Sequence, residues 1–212
     1  YTGEDTLSLH DALPIYVTSA NALTLGAVTT TGVTQITTTA GGIALNDAVN
    51  TNGNHLTVTS AAGVTTLDVI DTGAGNFTVV TNGGGIDFGA VVTARDISLT
   101  STGAIEGGVH LLTAGRDLTI NAAGQTVDQA NPLSVHVAGN LIINNARETH
   151  ITSGALLNVG AVATTGVTQI TTTAGGIALN GAVNTNGNNL TLDSAAGITS
   201  DNNAGALRLN SG

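Results

Sequence analysis

A block of this chain is written twice. GAVTTTGVTQITTTAGGIALNDAVNTNGNHLTVTSAAGVTT occupies residues 26–66 and returns as GAVATTGVTQITTTAGGIALNGAVNTNGNNLTLDSAAGITS at residues 160–200. Roughly five in six positions are identical, and the changes are mild: Asp47 becomes Gly181, His55 becomes Asn189 and Val58 becomes Leu192. A shorter period runs inside and between the copies, with strand-like pieces about every 20 residues: ITTTAGGI from Ile36, LTVTSAAGV from Leu56, FTVVTNGGGI from Phe77, ISLTSTGAI from Ile97 and LTINAAGQTV from Leu118. Each opens with apolar and polar residues in alternation, the mark of a strand with one buried face. Each then meets Gly or other small residues, and NTNGN closes a unit at Asn50 and again at Asn184. Gly and Asn tolerate the positive φ that sharp corners need.

A unit of this size cannot bury its apolar face alone, but stacked on copies of itself it can. The expected fold for residues 16–212 is therefore all-β: a parallel β-helix, or β-solenoid, of about ten coils of roughly 20 residues. The crossover rule makes it right-handed. With strands about 4.8 Å apart, it would form a rod near 50 Å long. A sandwich has no need of a sustained period of this kind.

Composition supports an ordered chain with a core of small side chains. Charged residues are 8% and aromatics 2%, whereas the apolar fraction is 41% and Gly numbers 29. Disorder goes with the opposite balance. With no Cys there is neither a disulfide framework nor a thiolate metal site, and stability has to come from repetitive packing. A net charge of −10 argues against nucleic acid as a partner, because phosphates call for a basic surface. No apolar run approaches the roughly 18 residues of a membrane span. The acidic start YTGEDTLSLHD is unlike a signal peptide, and with no Met in the sequence the chain reads as an internal fragment.

Residues 1–15 differ in style from the rest. TLSLHDALPI, residues 6–15, resembles one reading frame of a common sequencing-adapter oligonucleotide over the whole decapeptide. The segment is set aside as an adapter-derived artefact outside the fold, with a short helix as the conformation its mixed periodicity allows.

The phrases ARDISLTSTGAI from Ala94, AGRDLTI from Ala114, AGNLII from Ala138 and GGIALNGAVNTNGNNLTLDSAAGI from Gly175 resemble filamentous-haemagglutinin-like exoproteins. These are large repetitive adhesins of Gram-negative bacteria, many exported by two-partner secretion. The resemblance covers essentially everything after Tyr16. It implies a shaft segment that is extracellular or on the bacterial cell surface, with an outer-membrane transporter as export partner. Binding to host-cell or surface glycans or proteins would then lie in other parts of the full protein. The family's amino-terminal secretion domain is not visible in this sequence.

The chemistry-bearing residues are sparse. Arg95-Asp96 and Arg116-Asp117 fall one coil apart, which suits a surface ion-pair ladder of small energetic weight. NGGGID, from Asn82 to Asp87, falls one residue short of a Gly-rich calcium nonapeptide and has no tandem copy. His55, His110, His136 and His150 form no HxH or HxxxH pair, and His136 is expected to point outward between Val135 and Val137. Asp68 and Asp71 have no second acidic cluster to make a glycosidase pair, and the chain has no Lys. No catalytic, cofactor-binding or metal site is therefore expected. Asn50, Asn52 and Asn54, with Asn184, Asn186 and Asn188, suggest stacked amide ladders with a stability role. Outward Thr57 and Thr59 belong to a Thr-x-Thr pattern like that of ice-binding solenoids, but Asp193 and Asn121 break its register. Polysaccharide-acting β-helix enzyme and ice-binding solenoid remain the alternatives to the shaft.

Overall fold

Among the described residues every strand pairing is parallel and joins one coil to the next. The computed structural model describes residues 7–11, 14–123, 125–127, 132–200 and 209–210. Among these residues there is no helix, and the strands stack as a β-solenoid of about nine turns with about 21 residues per turn. Coil length varies with the corners: the register steps from Ile36 to Val58, Val79, Leu99, Ile120 and Ile143 are 22, 21, 20, 21 and 23 residues.

A representative coil has three straight parts. A five-residue strand, Thr34–Thr38, is followed by a short strand Ile43–Leu45 and a shorter one Val49–Asn50; the next coil begins at Leu56–Ser60. In the coils from Thr34 to Glu106 the longest strand of each lies in a twelve-stranded sheet, and the two shorter ones lie in a fifteen-stranded sheet. Alternation decides which residues face the interior: Leu56, Val58 and Ser60 are buried, and Thr57 and Thr59 are half-buried on the outer side. Stacking then aligns like with like. One inward column runs Ile36, Val58, Val79, Leu99, Ile120, Ile143. Another runs Leu23, Ile43, Val64, Ile86, Ile105, Val127. These side chains form a single core, and burying each Val, Leu or Ile contributes about 1.5–3 kcal/mol.

The interior also holds hydroxyls. Thr38, Ser60, Thr81 and Ser101 are all buried at the end of the long strand. Each donates to a glycine carbonyl across the corner: Thr38 to Gly41 at 2.9 Å, Ser60 to Gly63 at 3.0 Å, Thr81 to Gly84 at 2.5 Å and Ser101 to Gly103 at 2.9 Å. The Thr81 and Ser101 hydroxyl oxygens also lie 3.0 Å apart, close enough for either to donate to the other in place of its carbonyl. Thr172 and Ser194 repeat the arrangement with Gly175 and Gly197. The corner thus satisfies its carbonyls from inside, where water does not reach.

Thr66 is different: it lies between Leu45 and Phe88, fully buried, and its hydroxyl has no partner. Thr→Val is therefore expected to act with opposite signs at the two sites. Thr66→Val should stabilise by about 1–2 kcal/mol, because it removes an unsatisfied hydroxyl. Thr81→Val should destabilise by about 1–3 kcal/mol, because a bonded hydroxyl is lost. Urea midpoints shifting in the same direction for both would break this assignment.

The duplicated blocks do not occupy equivalent places. Thr34–Thr38 belongs to the twelve-stranded sheet, whereas its copy Thr168–Thr172 belongs to the fifteen-stranded one; Ile43–Leu45 and Ile177–Leu179 are exchanged in the opposite sense. Following the register upward from Ile36 leads through Ile143 to Val162, not to the counterpart residue Ile170, which stacks on Ile151 instead. The slip arises in the strand Asn140–Ala146, whose pairing with Leu157–Thr164 shifts register on both sides of Ile143. Asn145 sits there at φ 53. Beyond it Glu148–Ser153 takes up pairing across two strands, Thr126–Val127 and Leu133–Val137.

Residues 1–15 are not wholly outside the sheets. Leu7–Asp11 is a strand, not a helix, and runs parallel to Leu23–Thr30, while Ile15 opens the strand that pairs with Thr34–Thr38. The physical reason is the alternation in LSLHD, which fits an open sheet edge. Its register against Leu23–Thr30 shifts between Leu7 and Leu9.

Candidate functional site

The charged residues that sequence spacing placed one coil apart do meet. Arg116 lays its guanidinium on Asp96 with two hydrogen bonds, Nε to Oδ1 at 2.7 Å and Nη2 to Oδ2 at 2.8 Å. Arg95 Nε reaches Asp96 Oδ2 at 3.2 Å, and Arg116 Nε lies 3.5 Å from Asp117 Oδ2. The carboxylates also hold backbone of the coil above: Asp96 accepts from the Asp117 N–H at 3.3 Å and Asp117 from the Asn140 N–H at 2.8 Å. Burial alone would raise the Asp96 pKa. The hydrogen bonds from Arg116, the Asp117 N–H and Arg95, with the Arg116 charge, outweigh it and bring the carboxyl below its usual value of 3.8.

A carboxyl whose pKa is lowered on folding contributes stability above its unfolded value and loses it as pH falls through the folded one. The wild-type urea midpoint should therefore fall more steeply below about pH 4 than that of Asp96→Asn. Parallel acid profiles would show that the ladder does not couple to folding.

An open groove of about 360 Å³ lies between the end of the long strands and the first short strands. Gly63, Gly85, Ala104, Thr65, Asp87 and Glu106 are among the residues that line it. Asp87 and Glu106, 19 residues apart and so about one coil, are exposed register partners on adjacent rungs. The Asn82–Asp87 segment forms a corner and the start of the strand Ile86–Phe88, with Asp87 exposed on it. Among the described residues, no three His, Asp or Glu side chains gather in a way that could hold a metal ion.

The histidines are dispersed. His55 Nδ1 accepts from the Asn76 N–H at 2.9 Å, His150 Nδ1 lies 3.3 Å from Gln169 Oε1, and His136 is exposed. Asp68 bonds the N–H of its neighbour Val69, and Asp71 that of Gly73. Neither approaches a second carboxylate through any hydrogen bond.

Asn52 and its partners do not form an amide ladder. Asn52 stands at φ 48, receives nothing from a stacked amide, and donates Nδ2 to the Thr30 carbonyl of the coil below at 2.7 Å. Asn186 repeats this with Thr164 at 2.7 Å and φ 51. Asn50 and Asn184 accept the following Asn52 and Asn186 N–H groups. In the first block the stacking neighbour above is Asp71-Thr72-Gly73, so no asparagine follows there, whereas in the second block Asn184 is in register with Asn210.

On the outer face of the twelve-stranded sheet, Gln35, Thr57, Thr78, Ser98 and Thr119 form one column in register, and Thr37, Thr59, Val80, Thr100 and Asn121 form the next. Neither column contains a charge. Val80 and Asn121 interrupt the hydroxyls of the second. No family model, curated protein or solved structure matches the chain.

Proposed function

We propose that this chain is a structural shaft segment of a large secreted or surface-exposed bacterial adhesin-like exoprotein of the filamentous-haemagglutinin type, acting without catalysis. The observation that carries the reading is the continuity of the stack. One inward column passes in unbroken register from Ile36 to Ile143, and parallel pairing continues past the register shift at Ile143 to Val162. Such a body resists bending and holds whatever is attached to it at a distance. Its scarcity of exposed aromatics and Arg argues against a strong binding hot spot of its own. Ligand contacts with host-cell or surface glycans or proteins would belong to other regions, and an outer-membrane transporter would export the whole.

Continuous long-read sequencing of the locus tests this. The expected result is an open reading frame in which the coils continue toward a signal peptide, with an outer-membrane transporter gene alongside. Antibody to this segment should also label intact cells. A short complete protein, or labelling only after lysis, would overturn the proposal.

The groove carrying Asp87 and Glu106 favours one second reading, a polysaccharide-acting β-helix enzyme. Release of reducing ends from glycans, abolished in Asp87→Asn, would establish it at the expense of the shaft.

A further inference from the structure

Four peptide bonds in the described residues join Asn to Gly: Asn52-Gly53, Asn82-Gly83, Asn180-Gly181 and Asn186-Gly187. This dipeptide is chemically labile because Gly offers no side chain to hinder attack by its own nitrogen. All four asparagines are exposed, so solvent access does not separate them. Their hydrogen bonds do.

Asn52 and Asn186 are held at both ends. Their Nδ2 groups donate to the carbonyls of Thr30 and Thr164 in the coil below, each at 2.7 Å, and their backbone N–H groups are fixed by Asn50 and Asn184. To cyclise, each would have to give up the bond that ties its corner to the preceding coil. Asn82 and Asn180 lie at other corners. Their backbone N–H groups pair with the Ser60 and Val159 carbonyls at 2.9 and 2.8 Å, but their side-chain amides make no hydrogen bond with the described residues. The glycine N–H that would attack donates no hydrogen bond among the described residues at any of the four sites, so the side-chain amide alone separates them.

We propose that Asn82 and Asn180 are sites of spontaneous covalent modification in the folded chain, and that the fold protects Asn52 and Asn186. The Gly83 nitrogen gives up its proton and attacks Cγ of Asn82. A C–N bond forms, the bond from Cγ to Nδ2 breaks, and ammonia leaves with the proton, producing a five-membered succinimide. Water then adds to either ring carbonyl and opens the ring to aspartate or isoaspartate. The same sequence applies at Asn180 and Gly181. No oxidant or enzyme is required, and water is the only co-reactant.

The consequence is local and cumulative. Each event adds one negative charge at a corner, and the isoaspartate product inserts a methylene into the main chain. At Gly83 the backbone has little freedom to absorb it, since a Cβ there would already meet the Ala61 carbonyl oxygen at 2.6 Å. The two corners therefore accumulate damage in a chain that has no disulfide to hold its coils together. Asn180-Gly181 belongs to the second block alone, because the first has Asn46-Asp47 at that position. The inference does not depend on the shaft proposal.

Peptide mapping by mass spectrometry tests it, on the purified chain held at mildly alkaline pH in native buffer and, in parallel, in concentrated urea. In urea all four sites should convert at similar rates, as their local sequences are alike. In native buffer Asn82 and Asn180 should convert roughly tenfold or more faster than Asn52 and Asn186, the factor expected when a hydrogen bond has to break first. Equal native rates at all four sites would overturn the proposal. So would native protection of Asn82 or Asn180 to the level of Asn52.

Discussion

Phe77→Ala is expected to lower the unfolding free energy by about 3–5 kcal/mol, the range for truncating a fully buried phenylalanine. Phe77 has no exposed surface and stands in register between Leu56 and Ile97. Its ring meets Phe88 edge to face, with centroids 6.5 Å apart and planes at 67°, and these are the only two phenylalanines of the chain. The core is otherwise Val, Ile, Leu and Ala, so a void left by Phe77 has no large neighbour able to swing into it. The pair interaction itself adds about 0.5–1.5 kcal/mol beyond area burial. Leu fills this column at positions 56, 118 and 141, so Phe77→Leu should cost less than about 1.5 kcal/mol. Urea unfolding of the two variants measures the difference. Equal losses would mean that ring volume is not what fills the coil. Because coils touch only their neighbours, faster hydrogen exchange should concentrate in the coils of Leu56 and Ile97 and fade with distance.

The repeat made the architecture legible: alternation at Leu56–Ser60 and Phe77–Thr81 identifies inward and outward faces, and Gly and Asn mark the corners. Alternation taken strictly would also have put Ser60 and Thr81 inside. The strand's last inward position faces a corner carbonyl, not a hydrocarbon, and a hydroxyl suits it. The readable signal is Ser or Thr three residues before a Gly, as in Ser60 and Gly63. Asn52 was rightly singled out, but its partner is a backbone carbonyl one coil away, which sequence spacing cannot distinguish from a stacked amide. The exchange of sheets between the two blocks was hidden for a different reason. Identical sequence suggests identical surroundings, yet a strand's sheet is set by the register accumulated beneath it. That register slips at Asn140–Ala146 through irregular pairing that no residue pattern announces. Asp87 and Glu106 stand 19 residues apart, about one coil, so the period itself is the signal that finds this pair.

Glycine carries two separate demands in this stack, and Gly75 shows the more severe one. Gly75→Ala is expected to cost about 3 kcal/mol or more, because overpacking against backbone has no side chain that can yield. A Cβ at Gly75 would meet the Asn54 carbonyl oxygen at 2.0 Å and its carbon at 2.3 Å. Relief would require lifting the coil, and that strains the rung bonds around it: Arg95 N–H to the Gly75 carbonyl at 2.8 Å and Leu56 N–H to the Asn76 carbonyl at 2.9 Å. Thr72 also donates its hydroxyl to the Gly75 carbonyl at 3.0 Å. Gly53 makes the opposite case: it stands at φ 86, with nothing within 4 Å of an added Cβ. Its substitution by Ala meets only the backbone penalty of the left-handed region, about 1–2 kcal/mol. Melting the two variants side by side separates the causes. Gly75→Ala should unfold far below Gly53→Ala. If Gly75→Ala instead melts at or above Gly53→Ala, the coils are not in the close contact described, and the tight stacking that makes this chain a rigid body loses its physical basis.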